Sequence, residues 1–203
     1  MSNEATETTS VTMTAREFRH LSTIAHYAGS GDVRPILTYV RLTTTGDNCE
    51  ATATDSFTLA RISVDIVESS GTETICVPAE SLTRAAKSFA KNKRADESLV
   101  TITSDGDTIT ITSNATADVI GAPTLLETYP DTDSLIPAAR GISEVPSGIS
   151  LNPYFLAKLA KLYPWNENKG TGAVVRTITD NSRPVLIQSP DEKTTVLQMP
   201  IRL

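Results

Sequence analysis

Apolar residues recur along the chain in two rhythms, one of period two and one near 3.6. Three times a short apolar strand runs into the start of an amphipathic helix: VTMTAREFRHL at 11–21, ICVPAESLTRAA at 75–86 and ISLNPYFLAKLA at 149–160. Each segment has an apolar strand end (Met13, Val77, Leu151), then a cap or a proline, then a helix with Phe18, Leu82 or Leu156 at the matching core position. The start signals are physical. Thr14 with Glu17 makes a capping box, Pro78 opens the second helix, and Asn152-Pro153 is an N-cap followed by proline at the first helical position. Phe18, Leu21, Ala25 and Ala28 form one apolar face of the first helix, and Leu82, Ala86 and Phe89 do the same in the second.

Strands follow each helix. LTYVRLT, CEATAT and TLARISVDIV come after the first, and LVTITSDGDTITITSN, a hairpin around Asp105-Gly106-Asp107, after the second. AVVRTIT, PVLIQS and TTVLQMPI come after the third. The repeating unit is therefore strand, helix and small antiparallel meander, which predicts an α+β fold with helices on one side of antiparallel sheets. Residues 1–10 are rich in Ser, Thr and Glu with nothing to bury, and disorder is expected there. Two complete units and a following turn occupy 11–137, a linker 138–148, and one further unit 149–203.

The 203 residues suffice for a real core without covalent staples. Cys49 and Cys76 lie inside strand-like runs without metal-ligand spacing, so two buried reduced thiols are expected, with no metal or other cofactor. No apolar run approaches the roughly 18 residues of a membrane helix, and the N-terminus lacks a signal-peptide pattern, which predicts a cytoplasmic protein without a membrane partner. A net charge of −6 argues at first against nucleic acid. Its distribution changes that picture, because RAAKSFAKNKR at 84–94 holds five basic residues and no acidic one.

Four segments together resemble the bacterial-type sliding clamp, the DNA polymerase III beta subunit: RPILTYVRLTTTGDNCEATATDSFTLARISV at 34–64, VPAESLTRAAK at 77–87, YPDTDSLIP at 129–137, and the final MPIRL. The likeness covers nearly everything from residue 11 onward, and the doubled strand–helix–meander unit is that family's domain. The resemblance implies a DNA-clamp processivity fold of one full domain plus the last half of another, in a compact bacteriophage or mobile-element version working in the cytoplasm of a bacterial host. The half-domain that helps form the family's subunit interface is absent from this pattern, so self-association, as a ring or otherwise, is an open expectation.

The resemblance also implies a hydrophobic pocket for short linear motifs of a DNA polymerase or other DNA-processing proteins. Its residues here would be Thr54, Ser56, Thr58 and Leu59, then Pro130 and Leu135, and from the tail Leu197, Met199, Pro200, Ile201, Arg202 and Leu203. Phe57, Thr58 and Ser134 stand where the family usually carries basic or imidazole groups, which implies a different motif preference. The tail pattern alone equally fits an edge strand completing its own sheet. The resemblance further implies contact with duplex DNA, independent of sequence, through exposed helix faces: Arg16, Arg19 and His20 on the first helix, Arg84, Lys87, Lys91, Lys93 and Arg94 on or after the second, and Lys158 and Lys161 on the third.

An enzyme is not expected. The chain has no Walker loop, GxSxG, HExxH or dinucleotide fingerprint, and Asp55 reads as a turn-capping carboxylate. His20 and His26 read as solvent- or DNA-facing imidazoles. The competing reading is a clamp-derived adaptor that keeps the motif pocket without encircling DNA.

Overall fold

The computed structural model describes residues 8–31, 34–71, 74–89, 96–116, 118–125, 127–136, 150–168, 170–176 and 184–201. The expectations for 1–7, Lys91, Lys93, Arg94, the 138–148 linker, Arg202 and Leu203 lie outside the described residues; the disorder expected up to residue 10 is corrected at Thr9 and Ser10, which pair with β7 as the start of β1. β1 (Thr9–Thr14) leads into α1 (Ala15–Ser22), which a 3-10 stretch, Thr23–Tyr27, prolongs. β2 (Tyr39–Thr45), β3 (Asn48–Thr54) and β4 (Thr58–Asp65) follow, then β5 (Glu68–Ser70), β6 (Thr74–Pro78) and α2 (Ala79–Phe89). β7 (Leu99–Ser104), β8 (Thr108–Ser113) and β9 (Val119–Pro123) precede α3 (Pro153–Leu159), β10 (Val174–Arg176), β11 (Val185–Gln188) and β12 (Thr194–Gln198).

The strands form two antiparallel sheets, ordered β5-β1-β7-β8-β9 and β10-β11-β12-β4-β3-β2-β6. The first two units exchange their leading strands. β1 pairs with β7 of the second meander, with Met13 opposite Val100, and β6 pairs with β2 of the first, with Val77 opposite Val40. Each unit thus covers a strand edge that the other would leave open. Helix start signals hold locally: the Thr14 hydroxyl accepts the Glu17 N–H at 3.2 Å, and the Asn152 side-chain oxygen accepts the Tyr154 N–H at 2.9 Å. The helices bury Phe18, Leu21, Leu82 and Phe89, and the Phe18 and Phe89 rings lie 6.0 Å apart between centroids.

The third unit departs from the pattern. Residues 150–152 do not form a strand, because no fourth meander is present among the described residues to pair with them. Leu156, at the position matching Phe18 and Leu82, is 38% exposed where those two are fully buried, and no residue of α3 is buried. The meander of this unit instead joins the larger sheet. β12 pairs with β4, and Leu162, Val185, Ile187 and Val196 enter the same continuous core as the first two units. The predicted TTVLQMPI strand ends at Gln198, before Pro200, which has no N–H to continue a ladder. Two edge strands, β5 and β9, were not evident in the pattern; β9 reads VIGAP, and its glycine and proline look like breakers although an edge strand tolerates both. Neither cysteine is in a disulfide; Cys49 is buried and Cys76 half-buried, and burial pushes their thiols up to about 12 and about 11.

α3 is fastened to the turn between β3 and β4. Lys158 Nζ donates to Asp55 Oδ2 at 2.6 Å, while Asp55 Oδ1 accepts the N–H groups of Phe57 and Thr58 at 3.0 and 2.7 Å and the Thr58 hydroxyl at 2.9 Å. Asp55 is thus the turn-organising carboxylate that the sequence predicts. Burial pulls its pKa upward, but the Lys158 ammonium and the Thr58 and Phe57 donors outweigh this and hold it below the ordinary value. A depressed native pKa adds stability that is full above the unfolded value of about 4 and is lost as pH falls through the native one. Asp55→Asn is expected to lower stability by roughly 1–3 kcal/mol at neutral pH. The difference in urea midpoint from wild type should close on acidification below about pH 4. A difference that stays constant from pH 7 to pH 2 would show that the charge of Asp55 contributes nothing.

Candidate functional site

The seam between β4 and the last two strands sends alternate side chains to opposite faces. Ala60, Ile62, Val185, Ile187 and Val196 point into the main core. On the other face Leu186 sits opposite Leu197, and Leu197 opposite Leu59, so three leucines from three strands form one row. With Ile136 packed on them they make a second, small apolar cluster outside the core.

The YPDTDSLI segment is pinned beside that row by a polar network. Tyr129 is buried and donates its hydroxyl to the Thr52 carbonyl at 3.4 Å, and the Arg41 guanidinium lies 5.8 Å over its ring. Arg41 donates to the Thr132 hydroxyl at 3.2 Å and to Asp133 at 3.0 Å. Arg61 pairs with the same Asp133 carboxylate and with Glu50. Burial raises the pKa of Asp133, but Arg61 and then Arg41 outweigh it and leave the carboxyl below its ordinary value. The 3-10 turn Asp133–Leu135 is held so that Leu135, 55% exposed, overhangs the leucine row.

The result is a mainly apolar depression of about 100 Å³, lined by Thr54, Ser56, Phe57, Thr58, Leu59, Leu135, Pro184, Leu197 and Met199. The structure brings together seven of the residues expected from the sequence: Thr54, Ser56, Thr58, Leu59, Leu135, Leu197 and Met199. Phe57 and Pro184 were not expected to line it; Phe57 was visible as an unusual residue in the turn, while Pro184 gave no signal. Pro130 is exposed and does not line the depression, and neither do Pro200 and Ile201. Ile201 turns toward α3, its N–H donating to the Ser150 carbonyl at 2.8 Å. The tail is secured one step earlier, where the Met199 N–H donates to the Phe57 carbonyl at 3.1 Å. Through Gln198 the tail is an interior strand between β11 and β4, not the edge strand its pattern also allowed, and Met199 lies on the rim of the depression.

The expected DNA-facing residues divide. Arg16, Lys87 and Lys161 are exposed, and so is Arg84, which donates to the Gly121 carbonyl at 3.2 Å. His20 is corrected: it is 2% exposed, stacked on the Tyr163 ring at 3.6 Å, and cannot reach a phosphate. Its burial lowers the pKa despite Glu167 and Glu17 nearby. Lys158 is also corrected, since its side chain is only 12% exposed and its ammonium is taken up by Asp55 and the rings of Tyr27, Tyr154 and Phe155. Arg19 is tied to Asp96 at 2.5 Å. Among the described residues no group of three His, Cys, Asp or Glu is placed to hold a metal ion, and no helix is long and apolar enough to cross a membrane.

The model of the DNA polymerase III beta subunit, central domain, matches residues 12–126. No curated protein sequence matches the chain. Solved structures do. A DNA polymerase sliding clamp from Bacillus subtilis aligns at a TM-score of 0.71 with 20% identity, over 96% of this chain and 64% of that one. The DNA polymerase III beta chain of Streptococcus pneumoniae aligns at 0.75 with 19% identity, over 100% and 66%. A Pseudomonas aeruginosa DnaN sliding clamp bound to griselimycin aligns at 0.76 with 17% identity, over 100% and 68%. The chain thus spans about two thirds of these clamps, slightly less in the first two. Identities this low speak for the fold, whereas the central-domain match covers more than half of the sequence, and the chain belongs to the DNA polymerase III beta subunit family of sliding clamps.

Proposed function

We propose that this chain is a sliding-clamp processivity factor. In this reading the depression on the larger sheet receives short Leu- or Phe-anchored segments of a DNA polymerase or another DNA-processing protein, and exposed basic side chains touch duplex DNA without reading sequence. One observation carries the peptide part: Leu59 and Leu197, outside the main core, form the floor of an apolar depression whose rim is made by the exposed side chains of Phe57, Leu135 and Met199. Each buried anchor contributes about 1.5–3 kcal/mol before ordering costs, enough for an exchangeable contact. Arg16, Arg84, Lys87 and Lys161 support the DNA part, since phosphate contact needs only charge and reach. Sliding clamps are non-enzymatic processivity factors, and the reading assigns this chain neither catalysis nor a cofactor. Division into a full domain at 11–137 and a half-domain at 149–203, a bacteriophage or mobile-element origin, and work in the cytoplasm of a bacterial host belong to the same reading.

A second reading, a clamp-derived adaptor that does not encircle DNA, is favoured by one feature. Leu156 of α3 is exposed where the matching Phe18 and Leu82 are fully buried, and Tyr154 beside it is exposed as well. Self-association that covers this face belongs to the ring reading, and its absence to the adaptor.

Removing residues 199–203 is expected to abolish binding of a polymerase-derived peptide, measured by fluorescence anisotropy, while circular dichroism stays native. Met199→Ala should weaken binding less, by about threefold to tenfold, since it deletes one wall element. Unchanged affinity after the truncation would make the tail purely structural.

Mass by light scattering and retention on circular duplex DNA distinguish the two readings. A ring gives an oligomer held on circular but not on linear DNA, and joint change of Arg84 and Lys87 to Glu should release it and flatten the salt dependence by about 0.9 log units per lost phosphate contact. A monomer not retained on circular DNA, even with loader proteins present, leaves the adaptor.

A further inference from the structure

The third unit follows the template of the first, and what it lacks can be read from that template. β1 is held on both sides: the Val67 N–H donates to the Thr12 carbonyl at 2.8 Å on one, and β7 pairs along its whole length on the other. Ser150 precedes Leu151 as Thr12 precedes Met13, and its carbonyl accepts the Ile201 N–H at the same 2.8 Å. The first side is thus reproduced. Among the described residues no strand pairs with the second.

Two further surfaces of the same unit are open. Pro153, Leu156 and Ala160 lie at i, i+3 and i+7 along α3, and all three are exposed. Their counterparts Ala15, Phe18 and Ser22 are buried, as are Ala79 and Leu82 of α2, and the contact of Phe18 with Phe89 sets α1 against α2. None of the three α3 residues is charged, so this face offers nothing to a phosphate. β10 is the last strand of the larger sheet. Its second residue, Val175, lies opposite Ile187 and shares that core-side face, yet it is 58% exposed. Val40 and Val100, the second residues of β2 and β7, are fully buried, with Val77 and Met13 of the leading strands opposite them.

The three open surfaces form a matching set. Between the first two units each leading strand covers the other's first meander strand while helix meets helix, so the exchange is reciprocal. A unit that presents a leading segment, a helix face and a first meander strand is therefore complementary to an identical unit after a half-turn. We infer that the surface formed by 150–152, α3 and β10 is an isologous interface with a second copy of this chain. Leu151 of each copy lies beside Val175 of the other, and the two Leu156 faces pack across the two-fold axis. The pair rebuilds from two half-domains the strand exchange that each chain already contains once. It deepens the self-association considered above by fixing the surfaces and the symmetry. The open strand edges and the apolar helix face are covered in one step.

Sedimentation equilibrium of the full chain and site-directed cross-linking test this together. A dimer is expected, and Leu156→Asp should weaken it about tenfold or more, with circular dichroism confirming that this variant of an exposed residue folds. Residues directly opposite one another in a sheet have Cα atoms about 4.5–5.5 Å apart, within disulfide reach. Leu151→Cys and Val175→Cys variants mixed one to one should therefore cross-link under mild oxidation. Neither variant alone should do so, because the two-fold axis sets 151 against 175 and never against itself; the wild type, with Cys49 and Cys76, is the blank. An oligomer that survives Leu156→Asp and gives no cross-link in the mixture associates through another surface, which overturns the inference and leaves self-association standing. A monomer at high protein concentration overturns the inference and self-association together, and leaves the face to a different protein.

Discussion

β12 and β4 pair in antiparallel register from Thr194 opposite Ile62 to Gln198 opposite Thr58, and the alternation along that seam decides what each side chain can do. Val196 and Ala60 close the main core, while Leu197 and Leu59, one residue away, face outward with Leu186. A slip of β12 by one residue would exchange the two sets, turning Leu197 and Thr195 toward the core and Val196 away from it, and would break the leucine row. The seam also covers an edge of β4 that would otherwise be open to another chain. Fold completion and the candidate pocket therefore depend on the same hydrogen bonds.

Two carboxylates set the loops around that row, and each acts by drawing in a cation from elsewhere in the chain. Asp133 takes Arg41 from β2 and Arg61 from β4, which fixes the segment ending in Leu135. Asp55 takes Lys158 from α3, which fixes the turn carrying Phe57 and brings the aromatic residues of α3 beside it. The rim is thus positioned by ion pairs while the floor is positioned by sheet register.

Local signals in the sequence were accurate because they report local physics. Thr14, Asn152, Asp55 and Asp105 each accept backbone N–H groups within three residues, so their roles can be read from spacing alone. Long-range pairing was not legible in this way. Nothing in the period of the units says that β1 completes the second meander and β6 the first. His20 sits on the polar side of its helix by count, yet Tyr163, far along the chain, stacks over it and removes it from solvent. Lys158 likewise looked like a solvent cation until a distant turn supplied Asp55. Pro184 reaches the depression only through the fold of a segment with no motif of its own.

Hydrogen–deuterium exchange of the full chain, with and without a Leu/Phe-anchored peptide, bears most directly on the seam as a binding surface. Added protection concentrated at 54–59 and 194–201, together with 133–136, is the expected result, because these are the segments around the leucine row. Protection confined to the exposed faces of α1 and α2, with those segments unchanged, would contradict it and place the peptide elsewhere on the molecule.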